Sequence, residues 1–427
     1  MADIPYVKKV FPNGMRYIFI PESQSRATTV LVLVSTGSEY EGKEINGVSH
    51  FLEHLCFKGT KKRPGSALIS TELDSLGAEY NAFTGNEVTG YFAKAANKNF
   101  PKVLDVVSDL YLNPLIPEGE MDKERGVIIE EINMYEDLPP RKVWDDLSAL
   151  MYGDQPAGRM VLGTKEIIKK LTRKDIMDYR NLHYVAPKTT VVVAGGLGMN
   201  PEPVIAEYFG GISSGESIAK PKTEERQSGP QVFFRDKTTD QTHMLIGVRA
   251  FDLFDERRFT LTVLSEILGG SMSSRLWKKL REEMGVAYHI SSASNLCSDY
   301  GILSVSAGID KERIAETTKA IIQELKTLRD EPVKEEELNK AKEHISGSMI
   351  LQLETSDEIA EFYGGEEAVT GRIQTPDEIL EKIKNVTAED ISLCAKAIMT
   401  DDRINLSAIG PISENAKEGT KNVFKLS

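Results

Sequence analysis

The chain has 427 residues, of which 40% are hydrophobic, and its 52 basic and 65 acidic side chains leave a net charge of −13. That apolar content excludes global disorder, and the acidic balance argues against a phosphate-binding surface and hence a nucleic-acid partner. No apolar run approaches the roughly 18 residues of a membrane span.

The first elements are strands. Asn13-Gly14 is a hairpin signal, followed by Arg16–Ile20 and Thr28–Val34, both rich in β-branched and aromatic residues. Helical periodicity takes over at Gly47–Lys58, Ala67–Leu76 and Phe100–Leu112, then in an acidic helix from about Pro117 to Glu136. Thr189–Ala194 reads as a buried strand ending in Gly-Gly. Residues 210–230 shift to Gly, Ser, Lys, Glu and Pro, the composition of a linker. Beyond it come strands at Gln231–Arg235 and His243–Val248, and helices near Phe259–Leu268 and Ser274–Met284. Strands around His289 and at Gly301–Ala307 follow, and then long helices. Gly364-Gly365 reads as a helix break.

The two halves therefore repeat one order of elements. Gly77-Ala78-Glu79-Tyr80 is echoed by Gly285-Val286-Ala287-Tyr288, each after a charged helix and before a strand. At about 150 residues per domain the length allows two or three domains. The expected architecture is α+β: two similar domains, 1–210 and 231–427, joined by a linker at 211–230, each a mixed, antiparallel-rich sheet packed with helices. Cys56, Cys297 and Cys394 are too few and scattered for a disulfide framework or a cysteine-based metal knuckle. They read as small buried hydrophobes in a reducing compartment. With an opening Met-Ala-Asp-Ile-Pro that lacks a secretory pattern, they suggest a cytoplasmic location.

The chemistry concentrates in His50-Phe51-Leu52-Glu53-His54. At about 100° per residue, His50, Glu53 and His54 share an arc of about 100° on one helix face. Two imidazoles at i and i+4 can hold one zinc ion, and a carboxylate beside the second can reach the attacking water without being a ligand. A third ligand is needed. On the acidic helix, Val127, Ile128, Ile132, Met134 and Tyr135 define an apolar stripe. Glu131 falls inside it, Glu124 lies beside it and Glu130 faces outward. A carboxylate on a core-facing stripe is costly unless a cation or hydrogen bonds compensate it. Glu131 is thus the ligand candidate, and Glu124 a carboxylate that could orient a ligating imidazole. His183, His243, His289 and His344 have no ligand-like sequence neighbours and read as structural.

His-x-x-Glu-His, 76 intervening residues and then Glu131 in a Glu-Arg-x-Val-Ile-x-x-Glu helix closely resembles the inverted zincins, the family of pitrilysin, insulysin and the mitochondrial processing peptidase. Asn13–Arg16, His54–Thr60, Gly77–Thr84, Leu268–Leu276 and Leu280–Tyr288 are similar to further segments of that family. The resemblance implies a zinc endopeptidase with one zinc per chain, held by His50, His54 and Glu131. Glu53 would be the general base and Glu124 a supporting carboxylate. It implies that Asn81, Ala82, Phe83 and Thr84 form an edge strand to which an unfolded peptide adds as a further strand. Arg281 and Tyr288 match an Arg/Tyr pair that clamps the substrate and supplies an oxyanion donor. The length resembles the two-domain branch, in which two chains form a clamshell around one chamber. Because zinc motif and clamp are both present, the resemblance implies a homodimer, with a heterodimer of homologous chains as the alternative.

Overall fold

The computed structural model describes residues 4–427. In the first half the strands are β1 (Val7–Val10), β2 (Arg16–Pro21), β3 (Ala27–Val34), β4 (Glu79–Thr84), β5 (Thr89–Ala96) and β6 (Thr189–Gly195). In the second they are β7 (Gln231–Asp236), β8 (Thr242–Ala250), β9 (Ala287–Leu296), β10 (Gly301–Ile309) and β11 (Ile404–Gly410). The helices that matter here are α1 (Val48–Cys56), α2 (Phe100–Leu112), α3 (Glu118–Glu136), α4 (Pro139–Tyr152), α5 (Ile314–Asp330), α6 (Ser356–Thr370) and α7 (Ala388–Ile398). No helix among the described residues is long and apolar enough to cross a membrane.

The α+β expectation holds, with two compact units each built on one mixed sheet. The first sheet runs β1-β2-β6-β3-β5-β4 and the second β7-β11-β8-β10-β9. Leaving β1 aside, the two orders correspond strand for strand. Both contain one parallel pair, β2 with β6 and β7 with β11, and are otherwise antiparallel. The Gly-x-x-Tyr echo therefore marks equivalent places, since Tyr80 lies on edge strand β4 and Tyr288 on edge strand β9.

The units are not contiguous stretches of chain. The first comprises the chain up to Ile132, Met160–Pro221 and Ile350–Asp377, and the second Asn133–Arg159, Lys222–Met349 and Glu378–Ser427. Hydrophobic faces explain the exchange. In the first unit, Ile359, Ala360 and Tyr363 of α6 bury against Ile18, Ile20, Leu31, Leu33 and Val192, while α2 packs on β3 and β5. In the second, Val143, Leu147 and Met151 of α4 bury with Leu245, Ile302 and Ile409 on one sheet face. The other face packs against α5 and α7 through Ile321, Leu325, Ile391 and Ile398. Each fully buried Leu or Ile contributes about 1.5–3 kcal/mol, so neither sheet face can be left bare.

Gly364-Gly365 is not a helix break, because α6 runs through it without interruption. A Cβ on Gly364 would lie 2.7 Å from Leu33 Cδ1 and 2.9 Å from Val192 Cγ2. The glycine thus permits close helix–sheet approach, and a Gly-Gly pair carries that meaning as readily as a turn.

Candidate metal centre and its surroundings

Helix α1 begins where the chain turns sharply. Gly47 has φ 94°, and a Cβ there would come within 2.5 Å of the Leu162 carbonyl, so only glycine fits. The helix has no side-chain cap of its own. Its first-turn N–H groups are met instead by a buried carboxylate a few residues upstream: Glu41 accepts from the Gly47 N–H at 2.6 Å, the Ser49 N–H at 2.8 Å and the Asn46 amide at 2.9 Å. Burial pushes Glu41 up to about 7 despite those hydrogen bonds. Phe51, Leu52 and Leu55 are fully buried and fix the helix in rotation, which turns His50 and His54 the other way.

The structure brings His50, His54 and Glu131 together. Their ligand atoms lie within 4.8 Å of one another, and Glu131 Oε2 is 3.6 Å from Nε2 of each histidine. Donors at about 2.1 Å from a tetrahedral ion stand about 3.4 Å apart, so this triangle has the size of a zinc site. Burial and the neighbouring His54 push His50 down to about 3, which keeps its imidazole in the neutral, ligating form.

Glu124 sits behind this triangle. Its carboxylate is paired with His54 Nδ1 at 2.8 Å and accepts from Lys58 Nζ at 2.6 Å. The first contact leaves His54 Nε2 free to face Glu131. Burial would raise the Glu124 carboxyl, but those two hydrogen bonds outweigh it and hold it below its usual range. Burial likewise opposes charge on His54, and the surrounding carboxylates, Glu124 first, lift it above its ordinary value. Glu124→Gln is expected to weaken zinc binding about 10–100-fold, read by competitive chelator titration.

Glu53 is buried on the same helix and points toward Thr84, whose hydroxyl donates to its Oε2 at 2.6 Å. Burial raises its carboxyl, opposed by that hydrogen bond. Thr84 ends β4, where Tyr80, Ala82 and Thr84 are half-buried and Asn81 and Phe83 exposed, the alternation of an edge strand. One short strand therefore forms the edge of the sheet and also steadies the carboxylate next to the metal-sized triangle.

Helix α3 differs from the reading of its periodicity. Only Met121, Glu124, Ile128 and Ile132 are buried, whereas Val127 is 51% and Met134 49% exposed. The stripe is narrower than five apolar residues suggest, and Glu131 lies at its margin beside Ile132. Glu130 is exposed. Lys58 and Glu41 were missed in the sequence. Lys58 had a signal, being four residues beyond His54 in the turn that follows α1, but Glu41 reaches α1 from an irregular segment and had none.

The second unit carries Arg281 and Tyr288. Arg281 lies in a stretch, Trp277–Glu283, that is wound wider than an α-helix, closing with the Met284 N–H on the Lys279 carbonyl at 3.1 Å. Its guanidinium donates to the Tyr288 carbonyl and lies 5.0 Å from the ring centroids of both Trp277 and Tyr288. Between Gly308↔His289 and Ile309↔Ala287 the register of β9 shifts, which leaves Tyr288 as the extra residue of a β-bulge. The bulge turns the ring outward, 74% exposed.

A family model described as insulinase (peptidase family M16) matches residues 17–165, and one described as the peptidase M16 inactive domain matches residues 170–345. An uncharacterized zinc protease of Bacillus subtilis, YmxG, is 33% identical over 391 residues, covering 91% of this chain and 95% of its own. The chain belongs to the M16 peptidase family. An uncharacterized zinc protease of Streptomyces coelicolor is also 33% identical, over 95% of this M16 chain and 90% of its own. Among solved structures, a protease from Helicobacter pylori superposes with a TM-score of 0.88 at 22% identity, covering 96% of this chain and all of that one. A peptidase M16 inactive domain from Pseudomonas fluorescens gives 0.87 at 16% identity, covering 96% of this chain and 98% of its own. Both share the fold of this M16 chain. The insulinase match contains His50, Glu53, His54, Glu124 and Glu131, and the match to the inactive domain contains Arg281 and Tyr288.

Proposed function

We propose that this M16 chain is a zinc endopeptidase that hydrolyses unfolded peptides laid along β4. The observation that carries this reading is the triangle of His50, His54 and Glu131 with Glu53 buried at its side. Those three side chains would hold the zinc. When bound, zinc supplies a Lewis acid that polarises the scissile carbonyl and activates water.

The remaining steps belong to the protein. Edge strand β4 receives an extended peptide through main-chain hydrogen bonds, which favours varied unfolded segments and excludes folded ones. Glu53 accepts the proton of the attacking water and returns it to the leaving amine. Thr84 keeps its carboxylate oriented, and Glu124 fixes His54. Arg281 and Tyr288 clamp the peptide backbone and donate to the developing oxyanion. In a homodimer, each site would use this pair from the other copy, inside a chamber closed by two chains. Three free cysteines, two of them buried, fit a reducing cytoplasmic setting.

The test measures zinc per chain by elemental analysis, and cleavage of a quenched, unstructured peptide with and without chelator. One zinc per chain, activity lost on chelation and regained with zinc, and no cutting of a folded protein are expected. A zinc-free chain, or peptide cleavage indifferent to chelation, overturns the reading.

A further inference from the structure

Two histidines that the sequence leaves without ligand-like neighbours stand in one row across the sheet of the second unit. Gly308 on β10 is paired with His243 on β8 and with His289 on β9, so both imidazoles rise from the same sheet face on either side of a residue with no side chain. Strands two apart in a sheet are separated by about 9.6 Å, a span that two imidazoles can bridge through one ion when nothing stands between them. The gap over Gly308 is already lined with donors. A Cβ built there would lie 3.1 Å from Gln241 Oε1 and 3.8 Å from His243 Nδ1.

This face is covered by α4 at Leu245 and Ile302, but toward β9 it is polar and accessible. His289 is exposed, its Nε2 is 3.5 Å from Ser291 Oγ, and Ser291 is hydrogen-bonded to Ser306 at 2.8 Å. His243 is half-buried, and burial, with the neighbouring His289 adding to it, lowers its affinity for a proton. Neutral imidazoles are what a transition metal needs. His344, by contrast, is engaged with Glu266 at 3.0 Å, and His183 lies against Lys188, Tyr40 and Tyr179.

We propose that His243 and His289, on either side of Gly308 in the sheet with the Gln241 carboxamide oxygen over the same glycine, form a second transition-metal site in this chain. Two imidazoles and an amide oxygen suit zinc, nickel or copper rather than magnesium or calcium. The site adjoins the Tyr288 bulge, so an ion there would tie β9 to β8 immediately beside the proposed clamp.

The experiment is equilibrium dialysis of the metal-free full chain against zinc, and separately nickel, with metal counted per chain. His289→Ala and His243→Asn are each expected to bind one equivalent fewer than the wild type, and His344→Ala the same number as the wild type. The comparison is made within each metal and does not depend on what His50, His54 and Glu131 hold. His50→Ala should keep the equivalent that His289→Ala loses. Variants of His243 and His289 that match the wild type with both metals overturn the proposal. Because His289 is exposed, its substitution leaves the core untouched, and retention of the equivalent in that variant alone is sufficient to reject the site.

Discussion

Replacing Glu53 by glutamine should lower peptide turnover about 10²–10⁴-fold while the zinc content stays at the wild-type value. The side chain is isosteric, so it still accepts the Thr84 hydroxyl and keeps its place on α1. What disappears is the basic oxygen. Glu53 is not among the three donors of the triangle, so metal uptake should be unaffected. Turnover of a quenched peptide and zinc per chain, measured on one preparation, separate the two effects. Activity within tenfold of wild type would falsify the assignment of Glu53 as the base. Loss of zinc would instead make Glu53 a ligand.

The second large effect is expected at Glu131. Glu131→Gln removes the only anionic donor from the triangle and leaves two neutral imidazoles, which hold zinc much less well. Affinity should fall by more than the roughly 100-fold that bounds loss of a supporting carboxylate, and peptide cleavage should fall with it. Glu130→Gln is the matched control, because that neighbour is exposed and should leave both readouts unchanged. Chelator competition on the two variants and the wild type decides the matter, and equal zinc affinity in Glu131→Gln and Glu130→Gln rules out Glu131 as a ligand.

The site was legible where chemistry and helix period coincide. His50, Glu53 and His54 share a face because of their spacing alone, and the buried Phe51 and Leu52 confirm which face turns inward. Glu131 was legible for a partly mistaken reason. Val127 and Met134 count as apolar in the periodicity but are exposed, so the stripe on α3 is centred on Ile128 and Ile132 and the carboxylate stands at its edge. Contacts made through irregular chain or between separate elements were out of reach. Glu41 caps α1 across an irregular stretch, Thr84 supports Glu53 from another element, and the row His243–Gly308–His289 exists only once three strands are in register. Composition found the irregular segment between Phe209 and Gln231, but it could not show which helix covers which sheet.

That mutual loan of helices has a practical outcome. Severing the polypeptide between Pro221 and Lys222 would not deliver two autonomous folding fragments. The N-terminal piece would lack α6 and expose the apolar side of β3 and β6, and the C-terminal piece would lack α4 and bare β8 and β11. Each half produced alone should aggregate, and only co-expression, with complementation between the fragments, should recover soluble material.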